Sequence, residues 1–394
     1  MHKMLQDFNI CIQTQFVFGK NAQNQIGSEL KKRGVKRVLI HHDNGEFLYA
    51  TGLLESISRN LEKEGISWVE LGGVLPNPRL SLVYEGIEIA KKEDVDFVIA
   101  IGGGSVIDSA KAIGLGAVIK GDVWDFFTGA AVPESSLPVG VILTCPATGS
   151  ESSAVTVVNN TEEGKKLLVS HPLVRPVIAF MNPELTCSLS RFLTSCGVID
   201  MFSHVCERYF TPDDEIGVID RMSEGILKTL VDLGPRVLKE PRNYSYRAEI
   251  MWIGTIAHNN TVGVGRVQDW ATHEIGNELS ALYDTPHGVA NALLLPYVME
   301  YNAESPAASK YIHIAKAMGV DTTGMSEAEG IKAAIEAVKA LSISINIPQK
   351  LHEINVKEED IPVLAVAAFN DVCTGGNPRS TSVEDIEALY HKAF

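Results

Sequence analysis

The sequence predicts a mostly parallel α/β half followed by an all-helical half, and three observations carry that expectation. Short β-branched runs alternate with helical periodicities as far as Met181. One of those runs passes through Gly102, Gly103 and Gly104 directly into a helix pattern. Beyond about Leu185 strand signals fade and long helical periods take over. The expected domains are therefore 1–185 and 186–394, with a ligand cleft expected between them.

Taken in order, "RVLIHH" (37–42) reads as a strand that ends at the turn signal "DNG". A helix pattern runs through "LLESISRNLEKEG" to Gly65, followed by the strand "ISWVEL" (66–71) and a turn around "LPNPR" (75–79). The spacing then predicts a helix from Leu82 to Lys92 and a strand "DFVIAI" (96–101). Further strands are expected at "VGVILT" (139–144) and "VIAFM" (177–181). In the second half, "EGIKAAIEAVKALSIS" (329–344) has the period of an amphipathic helix. No fixed-period repeat or low-complexity linker interrupts the chain.

A chain of 394 residues, 45% of them hydrophobic, can bury two substantial cores, and 21% charged residues argue against extended disorder. The formal net charge of -15 disfavours nucleic acid or an anionic membrane as partner. Six cysteines (Cys11, Cys145, Cys187, Cys196, Cys206, Cys373) are scattered without a CxxC pair, which reads as reduced, mostly buried thiols. The start "MHKMLQDFNI" lacks the apolar core of a signal peptide, and apolar runs such as "VLAVAAF" (363–369) are too short to span a bilayer. A soluble, cytoplasmic protein is expected.

"DFVIAIGGGSVIDSAKAIGLGA" (96–117) is the most informative segment of the first half. Three glycines let a ligand approach the backbone closely, and the N–H groups at the helix start suit a phosphate. Ser105, with Asp108 three residues on, resembles a capping box. The alternative is an ordinary strand-to-helix turn. The order of parts differs from the GxGxxG fingerprint, because the candidate ribose-binding acid, Asp43, precedes the glycines. A second cluster, "TCPATGSESS" (144–153), offers hydroxyls at another strand end. Together these segments look like a dinucleotide cradle.

"GVIDMFSHVC" (197–206) sets Asp200 and His204 four residues apart in an apolar stretch, on one face of a helix. A buried carboxylate needs a partner, either a hydrogen-bonded histidine or a cation. "THEIGNELSALYDTPHGVANALLLP" (272–296) adds His273 in a helical pattern and His287 after the break "YDTP". One carboxylate and three imidazoles suit a divalent first-row metal with a position left for substrate oxygen. Spacing alone leaves open whether the two segments meet.

At this point the chain resembles the iron-containing (group III, metal-dependent) alcohol dehydrogenases, in their butanol dehydrogenase-like branch. The resemblance rests on "TQFVFGKNA" (14–22), "GGGSVIDSAK" (102–111), "CPATGSESS" (145–153), "GVIDMFSHVCE" (197–207) and "DTPHGVANALLLP" (284–296), which run in family order over nearly the whole chain. It implies a nicotinamide-binding α/β domain and a helical domain holding metal and substrate. It also implies Asp200, His204, His273 and His287 as metal ligands, with Fe2+ expected ahead of Zn2+ or Mn2+. Gly103, Gly104, Ser105, Asp108, Thr144, Thr148 and Ser150 are then expected around the cofactor phosphates and nicotinamide. Asp43 is expected at the adenosine ribose, with Asn77 and Lys166 as further contacts. A carboxylate at Asp43 repels a 2′-phosphate, so NAD(H) is expected over NADP(H).

The implied reaction is reversible hydride transfer between a small primary alcohol or aldehyde and the nicotinamide, as an aldehyde reductase in a homodimer or higher homo-oligomer. There is one departure: many members read HxxxH where this chain has His273 and Asn277. An amide at 277 can hold water or substrate but cannot relay a proton by titrating. Two other readings stand beside this one. The first is a metal- and NAD-dependent lyase of the dehydroquinate synthase type, which the Asp-His-His-His set disfavours. The second is a cofactor-binding protein that has lost activity.

Overall fold

The fold comes from a computed structural model that describes residues 5–211, 216–371 and 378–394. It divides into two compact units. One comprises Cys11–Leu189 with Arg242–Thr255; the other comprises the described residues up to Ile10, Ser190–Pro241 and Ile256–Phe394. The expected boundary at 185/186 therefore misses two exchanges: the N-terminal segment clusters with the helical unit, and 242–255 with the α/β unit. Sequence periodicity reports local elements and is silent on such long-range attachment.

The α/β unit is built on a six-stranded, all-parallel sheet of β1 (Gln15–Phe18), β2 (Arg37–His42), β3 (Ser67–Leu71), β4 (Phe97–Gly102), β5 (Val139–Leu143) and β8 (Ile178–Met181), in the order β1-β8-β5-β4-β2-β3. β6 (Val155–Asn160) and β7 (Lys165–Ser170) form a separate antiparallel hairpin. Helices α1 (Ile26–Lys32), α2 (Glu46–Ala50), α3 (Leu53–Lys63), α4 (Leu80–Lys92), α5 (Gly104–Ala117) and α6 (Trp124–Phe127) lie between and after these strands. β4 is buried at every position, as expected for a central strand covered on both faces. Ile99 and Ile101 join one core with α1 and α3, while Val98 and Ala100 join the other with α4 and α5. The chain reverses its direction of strand addition between β2 and β4. The C-terminal ends of these neighbours form the sheet's switch point, where open α/β sheets bind ligands.

The helical unit carries α7 (Arg191–Tyr209), α8 (Val218–Lys239), α10 (Ala271–Tyr283), α11 (His287–Tyr301), α12 (Tyr311–Ala317), α13 (Glu327–Ser344), α14 (Ile361–Asp371) and α15 (Val383–Ala393). α9 (Tyr244–His258) belongs to the α/β unit through Thr255. α7 is buried almost all round from Thr194 to Tyr209, so it is the central helix of its unit. No described helix is long and apolar enough to cross a membrane.

Two local expectations need correction. Ser105 does not cap α5: the helix starts at Gly104 with Gly103 as its N-cap, and no side chain caps it. Nor are the thiols mostly buried. Cys196 and Cys206 are buried, Cys145 and Cys187 half-buried, and Cys11 is exposed. Cys11, Cys187 and Cys206 are free thiols; Cys373 lies outside the described residues.

Candidate active site

In the helical unit, Asp200 and His204 stand one turn apart on α7, and both are buried. α10 brings His273, and His287 is the first residue of α11. One ligand atom from each of the four lies within 4.8 Å of all the others. The ring centroids of His204 and His273 are 4.3 Å apart, and those of His273 and His287 4.9 Å. Gly288 explains how α11 comes so close: a Cβ there would lie 2.3 Å from the Cys196 carbonyl oxygen on α7. Asn291, one turn on, donates to Asp200 Oδ1 at 3.2 Å.

The imidazoles are oriented from behind. His204 Nδ1 donates to the Asp200 carbonyl at 2.8 Å, which leaves Nε2 with the lone pair a metal needs. Burial first, then the Arg208 guanidinium, push His204 down to about 3, so the ring is neutral. His273 Nδ1 donates to Glu207 Oε2 in a very short contact. Glu207 Oε1 accepts the Thr272 N–H at 2.6 Å and the His273 N–H at 3.4 Å, which fixes the start of α10. Glu207 was not among the residues expected here. The donor chemistry fits a divalent first-row cation: one carboxylate and three imidazoles, two of them with the second nitrogen engaged. Asn277, four residues after His273 on the same face of α10, is half-buried.

In the α/β unit, the expected cofactor residues gather at the C-terminal ends of the strands. Asp43 follows β2, where its Oδ1 accepts the Gly45 N–H at 3.0 Å. Gly103, Gly104 and Ser105 follow β4, and Thr144 follows β5, with its N–H on the Gly102 carbonyl at 3.0 Å. The glycines have a packing reason as well. A Cβ on Gly103 would lie 2.9 Å from Cys145 Cβ, and one on Gly104 2.6 Å from Thr148 Oγ1. These glycines therefore let the 144–150 loop close against α5, whatever else they bind.

Two pairings were not legible beforehand. Asp108 accepts from Ser150 Oγ at 2.5 Å and from the Val157 N–H at 3.2 Å. Fully buried Lys111 donates to Ser150 Oγ at 2.7 Å, the Val155 carbonyl at 2.7 Å and the Ser153 carbonyl at 3.2 Å. Asp108 and Ser150 thus bind each other and pin the loop to α5. Lys166 Nζ donates to Asn77 Oδ1 at 3.1 Å, so those two expected contacts also meet.

Comparison with known proteins agrees with this arrangement. A family model described as iron-containing alcohol dehydrogenase matches residues 13–183. A second, for the C-terminal part of the Fe-containing alcohol dehydrogenase family, matches 194–394. A probable NADH-dependent butanol dehydrogenase of Bacillus subtilis is 35% identical over 386 residues, covering 98% of this chain and 99% of the relative. An NADPH-dependent aldehyde reductase of Escherichia coli is 34% identical over 363 residues, covering 91% and 92%. The crystal structure of an NADH-dependent butanol dehydrogenase A from Thermotoga maritima superposes with a TM-score of 0.94 at 34% identity, covering all of both chains.

Proposed function

Since the chain belongs to the iron-containing alcohol dehydrogenase family, we propose that it is a nicotinamide-dependent alcohol dehydrogenase working mainly as an aldehyde reductase. The convergence of Asp200, His204, His273 and His287 within 4.8 Å is the observation that carries this reading. A divalent ion at these four residues, Fe2+ ahead of Zn2+ or Mn2+, supplies Lewis acidity toward the oxygen of a small aldehyde or alcohol, and a nicotinamide cofactor supplies or accepts the hydride. Asp200 would contribute a carboxylate oxygen, and the three imidazoles a nitrogen lone pair each. Glu207 and the Asp200 carbonyl hold the rings in the ligating tautomer.

Gly103, Gly104, Ser105, Thr144, Thr148 and Lys166 bind the cofactor's phosphates and nicotinamide side, with Asp108 and Ser150 shaping that surface. Asp43 and Asn77 take its ribose end, and the Asp43 carboxylate favours NAD(H) over NADP(H). The named relatives use either cofactor, so the preference belongs to this residue and not to the family. Asn277 orients a substrate or its water by hydrogen bonding. The dehydroquinate synthase-like lyase reading is set aside with the family assignment.

The test is metal content together with turnover. The purified enzyme is expected to hold one divalent ion per chain and to oxidise NADH with butanal. Asp200→Ala is expected to lose both while keeping its far-ultraviolet circular dichroism. Full metal occupancy in Asp200→Ala would falsify the ligand assignment. Asp43→Gly is expected to raise kcat/KM with NADPH relative to NADH; no change in that ratio sinks the role given to Asp43.

A further inference from the structure

Asn291 stands one turn after His287 on α11, a helix that packs against both α7 and α10. Its side chain is fully buried. Nδ2 donates to Asp200 Oδ1 on α7 at 3.2 Å. The amide oxygen is buried without a hydrogen-bond partner, and a Cβ on Gly276 of α10 would come within 2.9 Å of it. The glycine at 276 therefore leaves room for this amide between the two helices that carry Asp200 and His273.

Packing alone does not account for an asparagine in this place. A buried amide with one end unsatisfied costs stability, and leucine has the same branched shape without that cost. The partner given to the carboxylate is the more telling point. Asp220, buried likewise, is met by Arg266 at 2.9 Å and Lys310 at 3.2 Å. From α11, Asp200 receives a neutral donor instead. A guanidinium or ammonium here would cancel the carboxylate's charge and oppose a divalent ion, whereas an amide fixes the group and leaves its charge. Imidazole nitrogens of two candidate ligands stand farther off, His204 Nδ1 at 3.7 Å from Asp200 Oδ2 and His287 Nε2 at 3.9 Å from Oδ1.

We propose that Asn291 is a positioning residue for the metal centre, holding the Asp200 carboxylate in one orientation so that the donor set is assembled before an ion binds. The proposal rests on the ligand reading above and deepens it. The last torsion of an aspartate is broad and two-fold, so burial by itself leaves the plane of the carboxylate loosely set. A hydrogen bond to Oδ1 removes that freedom, and the ion then binds without ordering the ligand first. His287 and Asn291 lie on one face of α11, so the same bond ties the position of His287 to that of Asp200.

The test titrates the metal-free, full-length protein with Zn2+ against a coloured chelator. Asn291→Leu, which keeps the branched shape and loses the donor, is expected to bind Zn2+ about 10- to 100-fold more weakly, with its far-ultraviolet circular dichroism unchanged. Loaded with Co2+, the variant is expected to show visible absorption bands that differ from those of the unaltered protein, because the geometry of the donors has changed. Zn2+ binding that Asn291→Leu does not weaken overturns the proposal alone. Weakened binding with superimposable Co2+ bands also overturns it, since that pattern marks a general loosening of the helices. If the unaltered protein binds no Zn2+, the ligand reading falls and this proposal with it. Should Asn291→Leu fail to fold, a crystal structure of the Zn2+-loaded unaltered protein decides: the amide on the Asp200 carboxylate supports the proposal, and an amide turned away from it overturns it.

Discussion

Glu207 accepts from His273 Nδ1, the nitrogen opposite the one proposed to ligate, and its other oxygen accepts the Thr272 and His273 N–H groups. A carboxylate behind a ligating imidazole raises the ligand's basicity and fixes its tautomer. Glu207→Gln is therefore expected to weaken metal binding about 10- to 100-fold, read by competition with a coloured chelator. An unaltered affinity would reduce Glu207 to a support for the start of α10. His41 makes a different prediction. It is buried between the Leu71 carbonyl and Ser109, and burial pushes it down to about 4, below its ordinary 6.5. The folded protein resists protonation there and the unfolded chain does not. Stability is thus fully present above about pH 6.5 and is lost as pH falls toward 4, by on the order of 3 kcal/mol. In His41→Gln the loss between neutral pH and pH 4 should be smaller by that amount in urea melts. Equal losses in both proteins would mean that His41 is not the group responsible. The candidate ligands were legible as residue types at helical spacing, because Asp200 and His204 stand out in an apolar run. Glu207 was equally visible, at i+3 from His204. Nothing local distinguished it from a surface acid, since its partner lies on a different helix.

Lys111 joins an element to a loop. Its ammonium sits within α5, yet its hydrogen bonds go to Ser150, Ser153 and Val155. Lys111→Met removes a buried cation and strands Asp108, at a cost of about 3 kcal/mol. NADH binding, followed by cofactor fluorescence, is expected to weaken along with stability measured by denaturant. Loss of stability at unchanged NADH affinity would separate this pin from the cofactor site. Strands β2, β4, β5 and β8 were readable as apolar runs because they are buried, and β3 as the short run "ISWVEL" although only its end is buried, but β1 and the β6–β7 hairpin were not. β1 is a four-residue edge strand with both ends exposed, so "QFVF" carries no alternation. In the hairpin, "TEEG" closes the turn with Gly164 at φ 65, and the flanking polar residues "NN" and "KK" hid the strand ends.

For the molecule as a whole, a metal held by α7, α10 and α11 as proposed would link stability to ion concentration. At one hundred times the dissociation constant, the ion adds about 2.7 kcal/mol to unfolding. The melting midpoint is expected to rise with added Zn2+ in the unaltered protein and to stay flat in Asp200→Ala; parallel rises in both place the stabilising ion elsewhere. Residues 200 and 287 are far apart in the chain, which is why the motifs suggested a shared site without showing that it closes. The exchanged segment 242–255 has the same cause: no local pattern reports which core a helix joins. Among the described residues β1 pairs only with β8, in the register Gln15↔Ile178. On the ribosome, β1 leaves the exit tunnel well before β8 and must wait for it. At about 5–20 residues per second that interval is roughly 8–33 s, during which "QFVF" is an unpaired edge that nascent-chain chaperones can hold.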